Sequence, residues 1–185
     1  MKNRYIIIAL AVLGFAGGWL TYSSRDAAPD LAPFFPTPMN IVDEMLKMAS
    51  VSSKDVVYDL GCGDGRIVVT AADRFGAKGV GVEYDPQVAQ LAVENVEKQN
   101  LGHLVQIVIG DATKIDASPA SVVMLYLLPD TISRLRPGLE SSLKPGSRVV
   151  SHNAEMPGWQ PSHVRRFDDG TGRVHTLYLY EIGRN

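Results

Sequence analysis

An apolar run, DVVYDL at residues 55–60, breaks into Gly61-Cys62-Gly63-Asp64-Gly65-Arg66 and then into a stretch that suits a helix over 65–75. Glycines at alternate positions permit tight turning and let a ligand approach the backbone closely. A strand that feeds a helix through such a turn opens a βαβ unit, and the chain continues in the same alternation. GVGVE (79–83) reads as a second strand. Asp85 followed by Pro86 reads as an N-cap with proline at the first helical position. Val88, Leu91, Ala92, Asn95, Val96 and Gln99 carry that helix until Gly102 ends it. VQIVIG (105–110), SVVMLYLL (121–128) and SRVVSH (147–152) read as three further strands. Ile132, Leu135, Leu139 and Leu143 mark a helix kinked or interrupted at Pro137. HVRRFDD and VHTLYLYEI, joined across Gly170 and Gly172, read as a closing pair of strands. A lead-in helix bearing Ile41, Met45 and Met48 precedes the first strand. The expected fold is α/β: a doubly wound, mostly parallel seven-stranded sheet with an antiparallel C-terminal hairpin at one edge.

With 185 residues, the chain has room for one domain and short appendages, which excludes a separate large substrate domain. Apolar residues at 45% and charged residues at 21% are ordinary globular usage. Eighteen basic against twenty acidic residues give a net charge of −2, so no strong electrostatic case for nucleic acid exists, and no nucleic-acid partner is expected. The single cysteine, Cys62, excludes an intramolecular disulfide and a multi-cysteine zinc site. His103, His152, His163 and His175 are scattered without ligand spacing, and no metal is expected.

A mean hydropathy of +0.01 is slightly high for a soluble domain, and the excess lies near the N-terminus. Tyr5 to Tyr22, YIIIALAVLGFAGGWLTY, carries no charge. As a helix it would span about 27 Å, close to the roughly 30 Å hydrocarbon core of a bilayer. Trp19 and Tyr22 fall where an interfacial aromatic belt lies. A signal peptide shares the basic start and the apolar stretch, but this run is longer than a typical signal core and Asp26 spoils the cleavage pattern before Ala28. The expected organisation is a single-pass membrane anchor over 1–24, a proline-rich lead-in over 25–38 and the globular domain over 39–185. Lys2 and Arg4 before the anchor, against Arg25, Asp26 and Asp30 after it, lean toward a domain facing away from the cytoplasm. The cofactor inferred next is made in the cytosol and argues for a domain facing that compartment.

In an open α/β sheet the ligand sits beyond the carboxyl ends of the strands, at the switch point. Acids gather there: Asp59 and Asp64 around the glycine turn, Glu83 at the end of the second strand and Asp111 after the third. Glu83, 22 residues beyond Gly61, stands where an acid accepts from a ribose diol. A dinucleotide site needs G-x-G-x-x-G, whereas this turn is G-x-G-x-G with Arg66 in the place of the third glycine. A carboxylate as near as Asp59 would repel a pyrophosphate. It suits a ligand bearing an ammonium and a sulfonium, together with a ribose and an adenine, which describes S-adenosylmethionine.

VVYDLGCGDGRIV, with VGVEYD and IGDAT, resembles the class I (seven-stranded) S-adenosylmethionine-dependent methyltransferases over about residues 36–185. PFFPTPMNIVDEML, YLLPDTISRLRPGLESSLKPGSRVVSH and the apolar N-terminus resemble a small subfamily of protein-lysine methyltransferases. That subfamily includes archaeal broad-specificity enzymes and mitochondrial enzymes that modify a rotor lysine of ATP synthase. The resemblance implies that Asp59 and Gly61 hold the amino-acid end of the cofactor, with Gly63 and Gly65 giving backbone clearance. It implies Glu83 on the ribose, Tyr84 flanking the adenine, Asp111 accepting from the adenine amine, and Ala112 beside it. Phe34, Phe35, Pro36 and Thr37 would fold over the methionine end, and Tyr126 would stand where the substrate nucleophile meets the methyl. Tyr126-Leu127-Leu128-Pro129 replaces the Asn/Asp-Pro-Pro-aromatic element of adenine and glutamine N-methyltransferases, so amide and exocyclic base amines are poor targets. The implied substrate is a protein lysine, membrane-associated proteins included. A small molecule or membrane lipid is the alternative, and a catalytically inactive cofactor-binding scaffold is the other.

Several of these residues also have structural readings. Asp64 can cap the next helix, Tyr126 can be core packing, and Cys62 is read as a small buried turn residue. His152 and Asn153 end the fifth strand and either touch substrate or hold a structural hydrogen bond. Arg165 and Arg166 are read as a solvated edge-strand face, Tyr178 and Tyr180 as packing, and Asp168-Asp169-Gly170 as a turn.

Overall fold

A computed structural model describes residues 35–183, which belong to one compact unit. Four helices and seven strands follow in order: α1 (Met39–Met48), β1 (Val56–Leu60), α2 (Arg66–Phe75), β2 (Lys78–Glu83), α3 (Pro86–Lys98), β3 (Val105–Ile109), β4 (Val122–Leu125), α4 (Pro129–Ser142), β5 (Arg148–His152), β6 (His163–Asp168) and β7 (Val174–Glu181). One sheet holds all seven strands in the order β3-β2-β1-β4-β5-β7-β6. The first five pair in parallel, and β7 pairs antiparallel with both β5 and β6. The expected mixed sheet and C-terminal hairpin are therefore present. The membrane helix expected over 1–24 lies outside the described residues, as does Phe34 of the lead-in. Among the described residues no helix is long and apolar enough to cross a membrane.

Alternation along the central strands divides the core. Val57, Val122, Met124 and Val150 pack with Ile41, Met45 and Leu46 of α1 and Ile67 and Ala71 of α2. Their neighbours Tyr58, Leu60, Val123, Leu125 and Val149 pack with Ile132, Leu135 and Leu139 of α4. Two-residue periodicity on the strands thus meets helix faces on both sides of the sheet. Strand order reverses between β1 and β4, which opens a crevice at the carboxyl ends of those strands.

Three expected boundaries move. The helix after Asp85 ends before Gly102, because Asn100 takes the left-handed conformation (φ 57°). Asn100 N–H then donates to the Glu97 carbonyl and Leu101 N–H to that of Val96, both at 3.0 Å, closing a Schellman cap. The fourth strand stops at Leu125, because Pro129 opens α4 and Tyr126-Leu127-Leu128 must turn out of the sheet to reach it. Helix α4 runs through Pro137 without interruption. Ser133 and Pro137 both lie on the exposed face, where the carbonyl that proline leaves unbonded is open to solvent.

At the edge of the sheet opposite the crevice, Asp55 ties four elements together. Its carboxylate accepts from Ser52 N–H at 2.8 Å and from the Ser121 hydroxyl at 2.7 Å, and it pairs with Arg148. Arg148 also donates to the Ala49 carbonyl at 2.6 Å. Burial alone would raise the Asp55 carboxyl, but the Ser121 and Ser52 hydrogen bonds and the Arg148 charge outweigh it and hold it low. That stabilisation is present above the ordinary aspartate pKa and is lost as pH falls below it. Replacing Asp55 by alanine strands a half-buried guanidinium. Asp55→Ala is expected to cost about 2–4 kcal/mol in urea unfolding and to leave cofactor affinity unchanged.

Candidate cofactor site

The glycine turn is built from its own backbone and from β2. Gly61 and Cys62 N–H both donate to the Val82 carbonyl, at 2.8 and 2.9 Å, which pins the turn to the neighbouring strand. Gly65 adopts φ 76° as the residue before α2, and a Cβ there would stand 3.0 Å from that of Ala92. Glu83 closes the turn from the side: Oε2 accepts from Gly63 N–H at 2.9 Å and Oε1 from Asp85 N–H at 3.0 Å. Each carboxylate oxygen keeps a second lone-pair site, so Glu83 can brace the turn and still receive a diol.

Asp59 is the strained group of the site. It is 2% exposed at the end of β1, and no hydrogen-bond donor among the described residues reaches its carboxylate. Burial first, and then the charges of Glu83 and Asp64, push its carboxyl up to about 8. A buried acid with only acids for charged neighbours fits a ligand that brings a cation. The ammonium of S-adenosylmethionine is such a cation. Cys62, buried in the same turn, has its thiol pushed up by burial and by Asp59, which leaves it a packing residue and not a nucleophile.

Asp64 proves to be a brace. Its carboxylate accepts Arg66 N–H at 3.2 Å and pairs with the guanidinium, Nη2 to Oδ2 at 2.6 Å. Arg66 Nη1 in turn donates to the Thr37 carbonyl at 2.9 Å. The residue in the place of a third glycine is therefore a strut that ties the buried lead-in residue Thr37 to the turn. Sequence reasoning did not find this role, because nothing in the spacing links residues 37 and 66.

The remaining expected residues lie around the same carboxyl edge. Tyr84 is 41% exposed next to Glu83, and Phe35 is 66% exposed. Asp111 caps the 3-10 turn Ala112–Lys114, accepting from Thr113 N–H at 2.9 Å and its hydroxyl at 2.7 Å. Burial would raise Asp111, but the Thr113 hydrogen bonds and Lys114 hold it low. Ala112 packs against the core on the α4 side. Tyr126 is half-buried and stacks on His152, with ring centroids 4.0 Å apart. His152 is fully buried and bonded to His175, so its structural reading holds in the fold. Asn153 exchanges hydrogen bonds with Thr176 across to β7. His175 was the missed partner. Its signal was present in the alternation of His175, Leu177 and Leu179, which puts a histidine at a core position of β7.

The raised Asp59 carboxyl gives a signed expectation. An acid whose folded pKa exceeds its unfolded value costs stability as pH rises from about 4 to about 8. In the ligand-free protein Asp59→Asn is expected to raise Tm at pH 7.5 by about 4 °C or more and to flatten the fall in Tm across that window. An unchanged or steeper pH profile by differential scanning calorimetry contradicts the assignment.

Comparison with known proteins identifies the family. The model of the ANTKMT methyltransferase domain matches residues 59–163, from Asp59 to the start of β6. A protein-lysine N-methyltransferase of Saccharolobus islandicus is 47% identical over 83% of this chain and 95% of its own length. A Xenopus laevis lysine N-methyltransferase, named for a subunit of ATP synthase, is 29% identical over 98% of this chain and 80% of its own. Among solved structures, one described as an RNA methyltransferase from Salinibacter ruber, in complex with S-adenosyl-L-homocysteine, superposes with a TM-score of 0.75. It is 44% identical, covering 82% of this chain and 95% of that one. The chain is an S-adenosylmethionine-dependent methyltransferase and belongs to the ANTKMT methyltransferase-domain family.

Proposed function

We propose that this enzyme methylates the ε-amino group of a lysine in a protein. The observation that carries the reading is the 47% identity, over 83% of the chain, with a relative named as a protein-lysine N-methyltransferase. S-adenosylmethionine would supply an electrophilic methyl group on sulfonium. Asp59 would hold its ammonium, with the Gly61–Gly65 turn lying along its amino-acid end, Glu83 would hold its ribose, and Asp111 with Tyr84 its adenine. Orientation is then the main contribution of the protein, since an in-line displacement needs proximity and alignment more than acid or base strength. Tyr126 and Phe35 offer an apolar wall at the carboxyl ends of the strands. A lysine entering such a throat has its pKa lowered by desolvation, which favours the neutral nucleophile.

The solved neighbour described as an RNA methyltransferase raises a nucleic-acid substrate as the contrasting outcome. A net charge of −2, with acids at the strand ends, gives no electrostatic drive toward a phosphate backbone. The discriminating experiment supplies methyl-labelled S-adenosylmethionine to the full chain with membrane protein, lipid and RNA fractions from the source cell. Label is expected in protein, on lysine by mass spectrometry. Label confined to RNA or lipid would refute the lysine reading.

We further propose that Tyr5 to Tyr22 anchor the enzyme in a bilayer as a single pass, with the catalytic domain on the cytosolic side where the cofactor is made. Eighteen uncharged residues ending in an aromatic belt support this reading. The full chain is expected to stay with membranes through an alkaline carbonate wash and to be protease-sensitive from the cytosolic face. Release by the wash, or protection from that protease, would contradict it.

A further inference from the structure

Behind Tyr126, three polar side chains form a line that cofactor binding does not use. His152 at the end of β5 is fully buried, and His175 on β7 is 2% exposed. His152 Nε2 lies 2.7 Å from His175 Nδ1, and His175 Nε2 lies 3.2 Å from Asp169 Oδ2 in the hairpin turn. At the other end the buried Thr37 hydroxyl stands 3.5 Å from His152 Nδ1, and Tyr126 stacks on the same ring. Packing alone does not call for this arrangement. His175 shares its strand face with Leu177 and Leu179, where an apolar side chain would avoid the cost of burying polar atoms.

The direction of the line follows from its far end. Asp169 is held well below the usual carboxylate range, first by the Thr171 hydroxyl and N–H, so it acts as an acceptor only. A line that is to accept a proton starts with both rings uncharged, and in that arrangement His175 Nε2 carries hydrogen toward Asp169 and His175 Nδ1 a lone pair. His152 Nε2 must then carry hydrogen, and His152 Nδ1 presents its lone pair to Thr37. Burial first, and then the neighbouring His175, push the His152 imidazole down to about 3, so His152 passes a proton on without retaining charge.

We propose that the line Thr37, His152, His175 and Asp169 takes the proton from the ammonium of the methyl acceptor. The proposal deepens the lysine reading and rests on it. One N–H bond of the substrate ammonium breaks, and its electron pair stays on nitrogen as the lone pair that attacks the methyl. The Thr37 hydroxyl takes that proton as it gives its own to His152 Nδ1. The His152 Nε2–H bond breaks as a bond from His175 Nδ1 to that hydrogen forms. His152 ends neutral in its other tautomer, and His175 ends as an imidazolium beside the Asp169 carboxylate. His175 and Asp169 are positioning residues: they fix the tautomer and receive the charge. The titratable and charged groups against the line are Tyr126, facing His152, Asp169 itself, facing His175, and Arg66, bonded to the Thr37 carbonyl and paired with Asp64.

Two measurements test this. Nitrogen-15 NMR of histidine-labelled full chain at neutral pH should show His152 and His175 both as neutral Nε2–H tautomers. A His152 carrying its hydrogen on Nδ1 overturns the proposal without any variant. Kinetics on a lysine-bearing protein substrate should show kcat for Asp169→Asn and His175→Gln down by at least about 10-fold at pH 7, with the KM for S-adenosylmethionine within about twofold. The loss should shrink toward pH 10, where lysine arrives increasingly neutral, so the acid limb of the kcat profile moves up. An equal loss at every pH, a loss confined to KM, or unaltered kcat marks a structural role and overturns the proposal. Failure of the wild type to label lysine sinks the substrate reading and this one together. Labelling by the wild type with unmoved profiles in both variants sinks this one alone.

Discussion

Asp59, one residue before the end of β1, has its carboxylate buried, no donor among the described residues within reach, and Glu83 and Asp64 as its charged neighbours. In isolation the arrangement is unfavourable, because desolvation and like charge both oppose ionisation. A ligand cation offsets both by its attraction for the ionised carboxylate. The rest of the site follows from that constraint. The turn must be glycine-rich to let a ligand come close, and it must be rigid to hold the acid where the ligand arrives. Rigidity comes from Val82, which bonds Gly61 and Cys62, and from Glu83, which bonds Gly63 and Asp85.

The sheet explains why these groups meet. Strand order reverses between β1 and β4, so the turn after β1 has no crossover helix above it on the β4 side. Tyr126 leaves β4 at that point, and His152 ends β5 beside it, in register with Leu177 in the middle of β7. Arg66 adds a long-range tie by carrying Thr37 to the turn through its pair with Asp64. Cofactor cradle and stacked Tyr126–His152 pair therefore share one edge of one sheet, while Asp55 and Arg148 lock the other edge. Catalysis by alignment needs this division between a fixed scaffold and a site at its rim.

Local patterns in the sequence are strong enough to read most of the fold. Alternating apolar residues, the Asp85-Pro86 cap and the Gly170/Gly172 turn each act within a few residues, and each gives its element in the structure. Boundaries failed where a competing local rule won. Asn100 supplied the left-handed cap before Gly102 could, and Pro137 was tolerated because its face is wet. The acids and glycines of the site were legible because strand ends and turns carry ligands in this architecture. The bond from Arg66 to Thr37 and the line from His152 to Asp169 were not legible. They span 29 and 17 residues, and only the tertiary fold brings their ends together.

Calorimetry of S-adenosylhomocysteine binding tests the central claim most directly. At pH 6.5, in buffers of different ionisation enthalpy, a carboxyl raised to about 8 is protonated before binding and ionised against the ligand ammonium afterwards. The account predicts release of about one proton by the wild type, together with loss of most of the affinity in Asp59→Asn. Binding without proton release, or wild-type affinity in that variant, would contradict it.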